Sequence, residues 1–185
     1  TGVLLLVLAG YQIAEVFICR QPSVRFLAAL AFVDIVWLPP IGLWLITLVT
    51  NTQRKLYIGL SKSTFVMAGL LSVWVLVDTS FVTGTVCQVV LATYEHGTPF
   101  HHIYGVFYEV ALGAMVISAM LGAARLDDPI GRAHCADIQL GVLGFMIPAL
   151  FTQLLWKGLD PSLPSIMCHY GIILALLLGR VIARE

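Results

Sequence analysis

The sequence predicts an all-α fold, a polytopic membrane bundle of six transmembrane helices in up-down topology, forming one domain over residues 1–185. Three observations carry that prediction. Of the 185 residues, 59% are hydrophobic and only 11% charged, with a mean hydropathy of +0.96; soluble domains average about 45–50% and about 25%. The apolar residues gather in six runs long enough to cross a bilayer, which takes about 20 residues. Polar links join the runs, short enough to make antiparallel neighbours. The alternation of a membrane barrel is absent.

Gly2–Cys19 is the first span and is short. Thr1 enters it without the charged region or cleavage pattern of a signal peptide, so the true N-terminus is expected to be missing or processed. Phe26–Thr50 is the second, interrupted by Pro39-Pro40. Two prolines leave two carbonyls without amide partners, and Pro40 biases Pro39 away from helix. A kink or non-helical turn is therefore predicted at Trp37–Ile41, facing protein or water. The third span, near Ser63 through Val90, is long enough that it must tilt, kink or project. His102–Ala124, Ala133–Trp156 and Leu163–Ala183 complete the set, with Trp156 beside Lys157 as an interfacial anchor. The links are Arg20–Arg25, Asn51–Lys62, Tyr94–His101, Arg125–Arg132 and Lys157–Ser162.

Ten Lys and Arg against ten Asp and Glu give zero net charge and a pI of about 6.9. That excludes a nucleic-acid binder, which needs a basic face, and disorder, which needs low hydrophobicity. The bilayer is the partner that the composition names. Basic residues then orient the chain. Arg54, Lys55, Lys62, Arg125, Arg132, Arg180 and Arg184 fall on one side; Arg20, Arg25 and Lys157 fall on the other. The C-terminus is expected in the cytoplasm.

Cys19, Cys87, Cys135 and Cys168 show neither a C-x-x-C pair nor metal spacing, and read as small apolar side chains in helices. The intramembrane polar groups are more informative. Glu15, Asp34, Asp78 and Glu109 lie within apolar runs, joined by Gln139, Gln153 and His169. At 1.5 Å per residue, Asp34 and Glu109 sit roughly 13 Å from the outer ends of their helices. Glu15 and His169 lie on the order of 6–10 Å in, with Asp78 about midway along its span. Lipid exposure would cost each acid several kcal/mol, so all four are expected to face the interior. Two readings follow: carboxyls and amides that tie helices together, or an outward-open polar cavity for a small ligand, cation or proton. The cavity would be lined by Glu15, Asp34, Asp78 and Glu109, with Gln153 or His169 in reach.

No cofactor is predicted. A b-type haem would need two facing axial histidines, and His102 with His169 is the pair that could supply them. Catalytic signatures are missing: there is no Gly-x-Ser-x-Gly elbow, zinc helix or phosphate loop. Asp127-Asp128-Pro129 reads as a solvated turn. No enzymatic activity is expected.

The order of features resembles a known family. Tyr11–Glu15 ends a helix with an acid, and a short Arg-containing link follows. Phe26–Thr50 carries Asp34, Trp37 and Pro39-Pro40 and closes in a basic Asn51–Leu56 loop. A long third helix leads to an outer His-containing loop; Tyr104-Gly105 and Tyr108 open the next helix; Arg132–Gln139 begins one that runs through Gly141, Gly144 and Pro148. This resembles the seven-helix N-terminal sensor region of bacterial and archaeal histidine kinases, with its first helix absent. The resemblance implies a sensor or receptor-like input module of a prokaryotic plasma membrane. Such a module binds a small ligand or senses a membrane signal and relays it to a cytoplasmic signalling domain. The sequence stops at Arg184-Glu185 without a kinase or cyclase domain, so the output is expected either outside this sequence or on a partner. Two other classes stay open: a small cation or proton transporter or channel, and an accessory subunit whose acids and small-residue faces (Gly105, Gly113, Gly122) meet other subunits of a membrane complex.

Overall fold

The computed structural model describes residues 1–21, 25–50, 55–87, 92–155 and 163–183, without the side chains of Gln153, Leu163 and Pro164. The helices are α1 (Gly2–Arg20), α2 (Arg25–Ile35), α3 (Leu38–Val49), α4 (Lys55–Val77), α5 (Phe100–Ala123), α6 (Pro129–Leu155) and α7 (Leu163–Ala183). A short hairpin, β1 (Gly84–Cys87) and β2 (Ala92–Glu95), separates α4 from α5. With α2 and α3 taken as one span, six helices are long and apolar enough to cross a membrane. Trp156, Arg54, Arg184 and the Lys157–Ser162 link lie outside the described residues.

The second span breaks, as Pro39-Pro40 predicts, though slightly earlier in the chain. α2 stops at Ile35, Val36 and Trp37 form a turn, and the prolines take the first turn of α3. A helix start tolerates proline because its first amides have no intrahelical partner. Val36 and Leu38 are fully buried, so the break is sealed inside protein.

The third span requires a correction. The apolar run was expected to be helical from Ser63 to Val90; α4 instead begins at Lys55 and ends at Val77. The Asp78 carboxylate accepts hydrogen bonds from the Ser80 N–H at 2.9 Å and the Ser80 hydroxyl at 2.5 Å. That local turn competes with the helix and ends it. Phe81 and Val82 then bury themselves over the bundle, and the β-branched residues beyond favour strand. β1 and β2 pair antiparallel, with Gly84 opposite Glu95 and Thr85 opposite Tyr94.

The fifth span starts at Pro129 and not Ala133. Asp128 accepts the amides of Ile130 at 3.1 Å and Gly131 at 2.8 Å, so the Asp-Pro pair is an N-cap followed by a first-turn proline. α6 and α7 then pack closely because Gly141 and Gly144 face Leu174 and Ile173. A methyl at Gly141 would lie 2.6 Å from the Leu174 side chain and 3.2 Å from its Cα. The outward faces are apolar, with Leu6 72%, Val77 75% and Leu154 73% exposed. Water penalises such a surface; lipid does not.

Candidate functional site

One group of polar side chains lies under the hairpin. α1 brings Tyr11, Gln12 and Glu15 to one face, four residues or fewer apart, so they stack along the helix. Glu15 is buried and accepts a short hydrogen bond from the Ser165 hydroxyl at the start of α7. The same oxygen accepts the Ala92 amide of β2 at 3.1 Å. One hydroxyl therefore ties α1, α7 and the hairpin together. Beside it the Tyr11 and Tyr94 hydroxyls meet at 3.2 Å, and the Gln12 amide donates to the Cys168 carbonyl at 2.9 Å. His169 turns a ring nitrogen to the Ser165 carbonyl at 2.8 Å, within its own helix.

Phe32 of α2 forms the centre of an aromatic box. Phe81, Tyr94, His96 and Tyr104 meet it edge-on, with centroids 5.0–5.8 Å away, the arrangement that ring quadrupoles favour. The Tyr104 hydroxyl donates to the Phe32 carbonyl at 2.7 Å. His96 Nδ1 lies 2.6 Å from the Phe81 carbonyl; a carbonyl only accepts, so Nδ1 carries the hydrogen. Burial holds the His96 pKa below its ordinary value, since the charged ring would lose solvation there, and the neighbouring His101 and His102 lower it further. Burial likewise pushes the Tyr94 hydroxyl up.

The four acids expected to converge do not share one cavity. Glu15 belongs to the Ser165 bridge. Asp34 is half-buried, its carboxyl against Gly10, where a Cβ would come 2.9 Å from Oδ2; that buried oxygen has no hydrogen-bond partner. Asp78 is not midway along a helix: it ends α4, where its bonds from the Ser80 hydroxyl and amide hold its pKa below the ordinary carboxylate value. Glu109 is exposed on the outer face of α5, against the expectation that it would face inward. A helix carries its inward side at positions such as Tyr104, Tyr108, Leu112 and Met115, and Glu109 falls outside that stripe. The Gln153 side chain lies outside the described residues. His102 is exposed, its ring centroid 3.8 Å from that of His101, and His169 is exposed as well.

The cysteines also divide differently from the expectation. Cys19 and Cys87 form a disulfide, fastening the end of α1 to β1 across 68 residues of chain, whereas Cys135 and Cys168 are free and buried. Helical spans for both cysteines had hidden the pairing. One signal was available: each lay at the outer end of its expected span, the oxidising side. Ser165 gave no such signal, since serine is common at helix starts. No family model, curated protein or solved structure matches the chain.

Proposed function

We propose that the chain is a membrane-embedded, sensor-like input module of a prokaryotic plasma membrane, its six spans running up and down, its hairpin end outside and the far end of α7 in the cytoplasm. A disulfide at the hairpin suits the oxidising side of a membrane, and the excess of Lys and Arg at the opposite ends suits the cytoplasmic one. The observation that carries the reading is the Ser165 bridge. Its hydroxyl joins the hairpin amide of Ala92 to Glu15 and sits on α7, so anything that lifts the cap pulls on the start of that helix. Asp34 Oδ2, buried without a hydrogen-bond partner as are Ser61 Oγ and His134 Nε2, is the acid oxygen of α2 left to accept a further donor. A relayed signal would pass to a cytoplasmic domain or partner. The transporter reading needs the four acids along one path, and their placement gives it no comparable support.

The relay is tested with spin labels at Arg132→Cys and Ile182→Cys, exposed positions near the far ends of α6 and α7. Ser165→Ala at the capped end is expected to shift or broaden that distance by about 2 Å, the size of ordinary helix shifts. An unchanged distribution in a folded Ser165→Ala protein contradicts the relay.

A further inference from the structure

The α3–α4 pair carries an open groove on the outside of the bundle, about 430 Å³ in volume and lined by Trp44, Lys62, Phe65 and Val66. Trp44, Lys62 and Val66 are exposed, and half-buried Phe65 stands beside Trp37, ring centroids 6.1 Å apart. The walls are apolar, so Lys62 lends the groove its methylene stem while its ammonium reaches beyond. Trp44 lies five residues before the end of α3 at Val49, and Lys62 seven residues after the start of α4 at Lys55. At 1.5 Å per residue they stand about 8 and about 10 Å from the same end of the bundle. Charge sets this groove apart from the rest of the apolar exterior. Among the described residues, Lys62 is the basic residue deepest in a candidate span; Arg20, Arg25, Lys55, Arg132 and Arg180 all fall within four residues of a span end. It makes no hydrogen bond or ion pair among those residues, and neither α3 nor α4 contains an acid. A cation at that depth is costly unless it meets an anion, and the protein around it supplies none.

We propose that the groove binds an anionic phospholipid, one acyl chain lying along Trp44, Phe65 and Val66 and the phosphate accepting from the Lys62 ammonium. The proposal rests on the membrane reading above and not on the sensor role. The parts suit the two halves of such a lipid. An apolar cleft of this volume is in the range that encloses small ligands, and a tryptophan at this depth places its ring at the headgroup boundary. The lysine stem follows the chain upward and delivers three donors to the phosphate oxygens. A zwitterionic lipid brings its own cation to that phosphate, so the unpaired ammonium favours a lipid with net negative charge. In the orientation proposed above this is the cytoplasmic leaflet, where anionic lipids set a negative surface potential. Lys55, Arg125 and Arg132 at the same end strengthen the general attraction, and the experiment separates that field from the groove itself.

The full chain is reconstituted in phosphatidylcholine vesicles containing a minor fraction of brominated lipid, either phosphatidylglycerol or phosphatidylcholine, and quenching of tryptophan fluorescence is read. The Trp44 share is the difference from Trp44→Phe. Brominated phosphatidylglycerol is expected to associate with the groove about fivefold more strongly than brominated phosphatidylcholine, the worth of one lysine beside an anionic lipid. Lys62→Gln is expected to make the two lipids equal, and Lys62→Arg to keep the preference. Arg132→Gln, which removes an exposed cation of the same end on α6, is expected to leave it unchanged. Equal quenching by both lipids in the unaltered protein overturns the proposal. A preference that survives Lys62→Gln, or that Arg132→Gln removes as fully, overturns it as well. So does a Trp44 that neither lipid quenches, the result of a protein helix seated in the groove. Membrane insertion is read separately, by resistance to alkaline extraction: an inserted protein without the preference defeats the lipid site alone.

Discussion

Ser165 holds three elements with one oxygen, donating to Glu15 and accepting from the Ala92 amide. Ser165→Ala removes both bonds and leaves a buried carboxyl and a buried amide unsatisfied, at a cost of about 1–3 kcal/mol for each group so stranded. Thermal unfolding in micelles is expected to show that loss, and a much smaller one for Glu15→Gln, whose amide oxygen still accepts the serine proton. His96 sets the pH response of the cap. Its folded pKa lies below the ordinary 6.5, so the unfolded chain binds the proton more readily. The stability this ring contributes is complete above about pH 6.5 and falls as pH drops through that value toward the folded pKa. Asp78 is held below the carboxylate range and stays ionised across that window. Melting temperature is expected to fall on acidification from about pH 7.5 to about pH 5, and His96→Gln to flatten the fall. At this scale the sequence marked Glu15 and Asp34 as groups needing company, but not what they meet. An acid's cost in lipid says that it needs a partner and leaves open which partner, such as the serine on another helix that Glu15 meets.

At the scale of elements, close approach is the deciding quantity. Gly141→Ala would drive a methyl into Leu174, whose Cα stands 3.2 Å away and cannot swing aside as a side chain can. About 1–3 kcal/mol of destabilisation is expected from such overpacking. Gly59→Ala on α4 meets nothing within 4 Å and is expected to be neutral or slightly stabilising, by up to about 1 kcal/mol. Chemical denaturation of the two variants checks the contrast. The break between α2 and α3 was legible because proline chemistry is local. The end of α4 was not, because hydropathy does not separate a spanning residue from one buried in a cap. Phe81 and Val82 are as apolar as any membrane residue, yet they cover the aromatic box. The turn at Asp78-Thr79-Ser80 was the local clue that the apolar run outweighed.

At the scale of the whole molecule, the helical class followed from composition, with 59% hydrophobic residues, and the six helices long and apolar enough to cross a membrane followed from the six apolar runs. What composition could not convey is that a hairpin caps one end of the bundle. The cap comes from contacts across long stretches of chain: Cys19 with Cys87, Tyr11 with Tyr94, and Glu15 with Ser165. The proposed sensor role requires that end to face outward. Sidedness tests it most directly, with single cysteines at Thr79→Cys beside the cap and Asp127→Cys in the α5–α6 link, both at exposed positions. In intact cells a membrane-impermeant maleimide is expected to label the first, and to reach the second only after the membrane is opened. Labelling of Asp127→Cys in intact cells with Thr79→Cys protected would contradict it.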